Sequence, residues 1–209
     1  MKRPRIRLAI IMVLLAALAG CGRVRYPKYY TLNVPPPPDP VAAQSTRTSI
    51  AVREFQSPVY LRQGPIVYRT TPEEIGFYEY HRWATDPRVL VTSAVADHLR
   101  ASRQFSAVST YNGHPESDYI VSGKLEKLEE LDYQSRVEVE VAMSVQITRV
   151  ATGATVWSNA VSEVGTVSQR SLPGVVSQMN RTMELAINKL LSTIPTSLAG
   201  DKQLAADKH

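Results

Sequence analysis

The residue whose setting most clearly prescribes chemistry is Cys21, the only cysteine of the 209-residue chain. It follows Leu18-Ala19-Gly20, where small residues close an apolar run. A thiol in that setting is the nucleophile that accepts a diacylglyceryl group, and cleavage before it frees an amine for a further acyl chain. Lys2, Arg3, Arg5 and Arg7 supply a positive start, and Leu8 to Ala19 are 12 unbroken apolar residues. That run is well short of the about 20 residues a spanning helix needs, so residues 1–20 read as an export leader rather than a permanent anchor. A lone cysteine has no internal disulfide partner, and a buried thiol is at odds with a place directly after an export signal. The expectation is a mature chain beginning at a lipidated Cys21 outside the cytoplasm. A single acyl chain anchors only marginally, so stable attachment takes two or more. Gly22 stands where an Asp would favour retention at the inner membrane, which points to the outer membrane, facing the periplasm.

Other reactive residues form no constellation. His81, His98, His114 and His209 have no second His or Cys at metal-ligand spacing, so no metal site is expected. There is no G-x-S-x-G elbow, P-loop or G-x-G-x-x-G. Glu126, Glu129, Glu130 and Asp132 read as a solvated strand end and turn rather than paired acids. The expectation is no enzymatic activity and no cofactor. The balance of 24 Lys+Arg against 19 Asp+Glu gives +5, but four of the basic residues belong to the leader, and the mature chain carries +1. Nucleic acid is therefore not an expected partner.

Residues 60–83 are the richest in contact-forming side chains. Tyr60, Tyr68, Phe77, Tyr78, Tyr80 and Trp83 are interleaved with Arg62, Arg69 and Arg82. Aromatic and Arg side chains dominate interface hot spots, so Tyr60, Arg62, Arg69, Tyr78, Tyr80 and Arg82 are the candidate partner-contact residues. The competing reading is a strand pair with one aromatic face in the core and Arg stems over its edge. Alternation cannot bury both Phe77 and Tyr78 on one face, so part of the set is expected to stay accessible. His81 reads as packed or hydrogen-bonded, and Arg82 as a surface charge or, alternatively, the anchor of a loop through a buried carboxylate. Met179 and Met183 read as core.

The elements that must position these residues follow from periodicity. Residues 21–48 form a tether in which Tyr29 to Val34 is β-prone and four prolines, Pro35 to Pro38, leave regular structure. Whether Tyr29–Val34 opens the sheet stays undecided at this point. Residues 49–195 read as one domain. Ile50–Phe55 is a strand, and Ile66–Arg69 with Ile75–Tyr80 a hairpin. Asp86-Pro87 starts a helix that ends near Ala101. Phe105–Ser109 and Tyr119–Leu128 are further strands. Val137, Val139, Val141, Met143, Val145 and Ile147 alternate with small or polar residues, which predicts a strand with one buried face, paired through the Thr152-Gly153 turn with Thr155–Val164. Leu172 to Ile194 carries an apolar stripe at helical spacing and stops at Pro195. Residues 196–209 read as a frayed tail. The order predicts an α/β two-layer sandwich, a single domain with a mixed, mainly antiparallel sheet and helices on one face.

The leader and Cys21 followed by Tyr29-Tyr30-Thr31-Leu32, then Tyr60-Leu61-Arg62, Ile66-Val67-Tyr68-Arg69, Phe77 to Trp83 and Leu99 to Val108, resemble the ABC-type transport auxiliary lipoproteins, the group of the paraquat-inducible lipoproteins. The resemblance runs from the leader to the final helix. It implies a compact α/β domain without enzymatic activity, held by lipid at the outer membrane and facing the periplasm. It implies as partners a protein with MCE domains and an ABC permease and ATPase, in systems that move lipids between the inner and outer membranes. Self-association is compatible with it. On the residues alone, a lipoprotein regulator of another envelope complex, such as a cell-wall synthase, is the alternative.

Overall fold

The computed structural model describes residues 25–36, 48–114, 116–133, 136–194 and 198. The leader, Cys21 and most of the proline-rich run and the tail lie outside these residues. The strands are β1 (Lys28–Tyr30), β2 (Ser49–Val52), β3 (Pro65–Arg69), β4 (Ile75–Trp83), β5 (Ala107–Thr110), β6 (Tyr119–Tyr133), β7 (Arg136–Arg149) and β8 (Thr155–Thr166). The helices are α1 (Pro87–Ser102) and α2 (Leu172–Leu191), and a short 3-10 turn spans Val59–Arg62.

All strands join one eight-stranded sheet that forks at β6. One edge of this 15-residue strand pairs along its length with antiparallel β7, which pairs in turn with antiparallel β8. The other edge is shared. Tyr119–Val121 pair in parallel with β2, and Glu129–Leu131 pair in parallel with β3. Beyond β2 lies β5, and beyond β3 lie β4 and then β1. The 3-10 turn occupies the chain between β2 and β3, with Leu61 buried and Tyr60 half-buried. The sheet is mixed, as the sequence predicts, and its longest pairings are antiparallel. Of the β-prone Tyr29–Val34, only Tyr29 and Tyr30 pair, with Lys28, in parallel with β4, and Thr31–Val34 lie outside any strand.

The alternation read in β7 holds in the structure. Val137, Val139, Val141, Met143, Val145 and Ile147 are all buried. They meet Val175, Val176, Met179, Met183, Ile187 and Leu190 of α2 in one continuous core that also takes in Val91, Val95 and Leu99 of α1. Met179 and Met183 are fully buried, in keeping with the core reading. Asp86 caps α1 by accepting from the Arg88 backbone N–H at 2.9 Å, with Pro87 at the first helical position. Arg103 closes α1 in the left-handed region at φ 53°.

α2 ends at Leu191 rather than Ile194. Thr193 and Ile194 donate to Leu190 and Leu191 in tighter 3-10 fashion, and the Ser192 and Thr193 hydroxyls take up the Lys189 and Leu190 carbonyls at 2.8 and 2.7 Å. Pro195 favours this, since the residue before a proline is driven out of the α region. Past the helix, Leu198 is buried and its carbonyl accepts from the Tyr119 hydroxyl at 3.4 Å.

Candidate functional site

The 60–83 segment forms the 3-10 turn, β3 and β4, and it is fastened to β6 by two buried carboxylates. Glu129 is fully buried, yet it carries a side chain that costs several kcal/mol to desolvate if unpaired. Its partner is Arg69 of β3, whose Nε donates to Oε1 at 2.7 Å. The same guanidinium donates through Nη1 to the Pro72 carbonyl at 2.7 Å, so one side chain ties the hairpin loop to the central strand. Glu129 Oε2 is buried without a hydrogen-bond partner among the described residues. The Tyr60 hydroxyl donates to the Glu126 carbonyl at 3.3 Å. Burial, then the charge of Glu129, raises the pKa of Tyr60 and keeps it protonated.

The neighbouring carboxylate, Glu130, is also buried and accepts from the Tyr78 hydroxyl at 2.8 Å. Burial pushes its pKa up, the Tyr78 bond pulls it down, and Asp132 pushes it up again, for a net rise. Burial and the Glu130 contact likewise raise the pKa of Tyr78. Tyr78 stacks at a tilt on Tyr68, with centroids 4.9 Å apart, and meets His81 edge-on at 5.8 Å. His81 Nδ1 lies 3.0 Å from the Tyr30 hydroxyl of β1, so the aromatic chain runs out to the sheet edge. Gly76 makes this packing possible: a Cβ there would fall 2.2 Å from the Tyr68 ring.

The acidic run on β6 thus corrects the sequence reading. Glu129 and Glu130 are not a solvated strand end but the buried feet of the 60–83 segment. The signal was missed because both partners lie far away in sequence, Arg69 by 60 residues and Tyr78 by 52.

The candidate contact residues divide by environment. Arg62 is exposed, as are Phe77 on β4, by 40%, and Val59 just before the segment, by 63%. Tyr60 and Tyr80 are partly exposed. Arg69 and Tyr78 are engaged inward. Arg82 donates from Nη2 to the Gln63 carbonyl at 2.9 Å, an exposed bond to the backbone and not to the buried carboxylate of the alternative reading. Cys21 lies outside the described residues.

Elsewhere, an open groove of 520 Å³ runs across β6, β7 and β8, lined among others by Ser122, Lys124, Ser144, Gln146, Ser158 and Ala160. Its walls also carry Arg53, Glu54 and Gln56, so charged and amide groups stand among the hydroxyls. Among the described residues no group of three His, Cys, Asp or Glu is placed to hold a metal, and no helix is long and apolar enough to cross a membrane.

A family model for the ABC-type transport auxiliary lipoprotein component matches residues 30–190. A solved Xanthomonas campestris protein of the DUF330 family superposes with a TM-score of 0.70 at 17% identity, covering 85% of this chain and 99% of its own. A second solved structure, of an uncharacterized protein, gives 0.65 at 12% identity, covering 81% of this chain and 99% of its own. At these identities the two structures speak for the fold. No curated protein matches the chain by sequence. The family match spans the sheet from Tyr30 and runs through nearly all of α2, so the chain belongs to the ABC-type transport auxiliary lipoprotein family.

Proposed function

We propose that this protein is a non-enzymatic docking component of an MCE-type ABC transport system that moves lipids between the inner and outer membranes. In this reading Cys21 is acylated, the mature chain sits on the outer membrane, and the domain faces the periplasm. The observation that carries the reading is the family match over residues 30–190. The leader ending at Cys21 supports the anchor, and Gly22 after it supports the outer membrane.

The geometry supports docking through the 60–83 segment. The Arg69–Glu129 and Tyr78–Glu130 pairs hold β3 and β4, and the Tyr60 bond to the Glu126 carbonyl holds the turn before them, so Tyr60, Arg62, Phe77 and Tyr80 are presented from a fixed frame. Preorganised side chains lose little entropy on binding, which favours affinity. Arg62 is the preferred charged contact because it is exposed.

The test is capture of the membrane-extracted lipoprotein after crosslinking, with its partners identified by mass, alongside density fractionation of the envelope. Recovery of an MCE-domain protein or an ABC permease, with the lipoprotein among outer-membrane markers, is the expected result. Recovery of a cell-wall synthase instead would replace the transport reading with the regulatory one. Fractionation with inner-membrane markers would remove the outer-membrane assignment.

A further inference from the structure

We propose that the β1–β4 edge of the sheet is the membrane-proximal side of the domain, with Arg25, Tyr26, Lys28 and Tyr29 resting on anionic phospholipid headgroups. The proposal rests on acylation of Cys21 and adds which side of the fold meets the bilayer.

Chain length is the first support. β1 is built into the sheet, with Lys28 opposite His81, Tyr29 opposite Arg82 and Tyr30 opposite Trp83. The Ala84 N–H extends the pairing by donating to the Tyr30 carbonyl at 2.7 Å, and the Asn33 N–H donates to Asn180 of α2 at 3.0 Å. Only the short run from Cys21 to Lys28 is left to reach the bilayer, and seven residues fully extended span at most ~25 Å. A sheet beginning at Ser49 would have allowed ~100 Å of reach by the same measure. β1 therefore converts a long tether into a short one. The proline-rich run then connects two strands of the domain instead of spacing it from the membrane.

The chemistry of this edge is the second support. Residues 22–30 carry Arg23, Arg25 and Lys28 and no acidic residue. Tyr26 is 79% exposed and Tyr29 62% exposed, large rings that the core does not use. Tyrosine favours the headgroup level, where its ring is half-solvated, and cations beside it are drawn to anionic lipid. The positive field reaches β4: after burial, the charge of Lys28 helps hold His81 below the usual imidazole range. Tyr80 of β4 feels the charge of Arg25 and is engaged by the Glu79 carboxylate. Short reach and cationic-aromatic character thus coincide on one edge.

The lipidated full chain reconstituted in vesicles of phosphatidylethanolamine and phosphatidylglycerol tests this. Acylation consumes the Cys21 thiol, so an environment-sensitive dye reacts only with an introduced cysteine. Tyr29→Cys, Val164→Cys and Leu185→Cys place the dye at three exposed positions, on β1, β8 and the outer side of α2. Nitroxide-bearing lipid should quench the Tyr29→Cys dye several-fold more than the other two. Adding Arg25→Glu and Lys28→Glu should remove that excess while the protein stays on the vesicle through its lipid. Equal quenching at the three positions, or stronger quenching at Val164→Cys or Leu185→Cys, overturns the proposal. So does weak quenching on vesicles combined with protection of the Tyr29→Cys dye in whole envelopes, which would give the edge to a protein partner. The mass of the N-terminal peptide is read on the same sample. Acylated Cys21 without Tyr29→Cys quenching defeats the orientation alone, and unmodified Cys21 defeats both the orientation and the anchor.

Discussion

Arg69→Ala should unfasten the 60–83 segment from β6, and its cost can be set from the environment of its partner. Glu129 is fully buried, Arg69 is 15% exposed, and Glu129 Oε1 accepts from Arg69 Nε at 2.7 Å. The variant leaves a carboxylate in the sheet interior with neither oxygen paired, and breaking a buried pair from one side costs about 3–5 kcal/mol. Folding stability of small domains is about 5–15 kcal/mol in total, so the effect is large. Urea denaturation of the mature chain carrying Cys21→Ser reads it as a drop in midpoint at constant slope. Removing both charges should undo most of the loss, since a buried pair replaced by apolar groups of similar size is often neutral. Arg69→Leu combined with Glu129→Leu should therefore be markedly more stable than Arg69→Ala. A loss below about 1 kcal/mol for Arg69→Ala, the range of an exposed ion pair, would refute the claim that this pair secures the segment.

Other outcomes follow from single environments. Val141→Asp buries a charge at a fully buried position facing α2 and should cost about 4 kcal/mol or more, whereas Glu140→Ala loses a half-exposed bond to Lys127 and should cost about 1 kcal/mol; similar melting shifts would reverse the face assignment of β7. Gly76→Ala must displace the Tyr68 ring and should cost about 1–3 kcal/mol, read by melting together with loss of near-UV aromatic signal. Glu130 has a raised pKa in the fold, so it binds a proton more tightly folded than unfolded, and its contribution is full below the unfolded value of 4.5 and declines as pH rises through the folded value. Glu130→Gln should therefore gain stability relative to the parent as pH rises from 4 to 7, and a pH-independent difference between the two would contradict the assignment. Cys21→Ser should leave a precursor that takes up no lipid label, and normal labelling of that variant would remove the anchor.

The elements were legible where one strand or helix carries its own pattern. β7 alternates over its buried half because one face meets α2 and the other stays wet, and α1 announces itself through Asp86 and Pro87. Strand order was not legible, because β6 is paired in parallel by β2 and β3, elements brought in from more than 50 residues away, and such pairing leaves no local mark. The burial of Glu129 and Glu130 was hidden for the same reason, and also because a bulge between Leu125 and Lys127 breaks the alternation just before them. β1 is only three residues long, and whether Tyr29 and Tyr30 pair depends on the far end of β4. Of the contact candidates, the aromatic and Arg content of 60–83 was visible in the sequence, but the division between inward Arg69 and Tyr78 and outward Arg62 and Phe77 depends on the sheet.

The transport reading is tested most directly by photocrosslinking in intact cells. A photoreactive amino acid replaces Phe77, which is 40% exposed on the segment proposed to dock, and a second replaces Leu185, 60% exposed on α2, as the contrast. An adduct is expected from position 77 to an MCE-domain protein or its ABC permease, and none from position 185. Adducts from position 77 only to envelope proteins outside any transport system, or the same adduct from both positions, would contradict the transport reading.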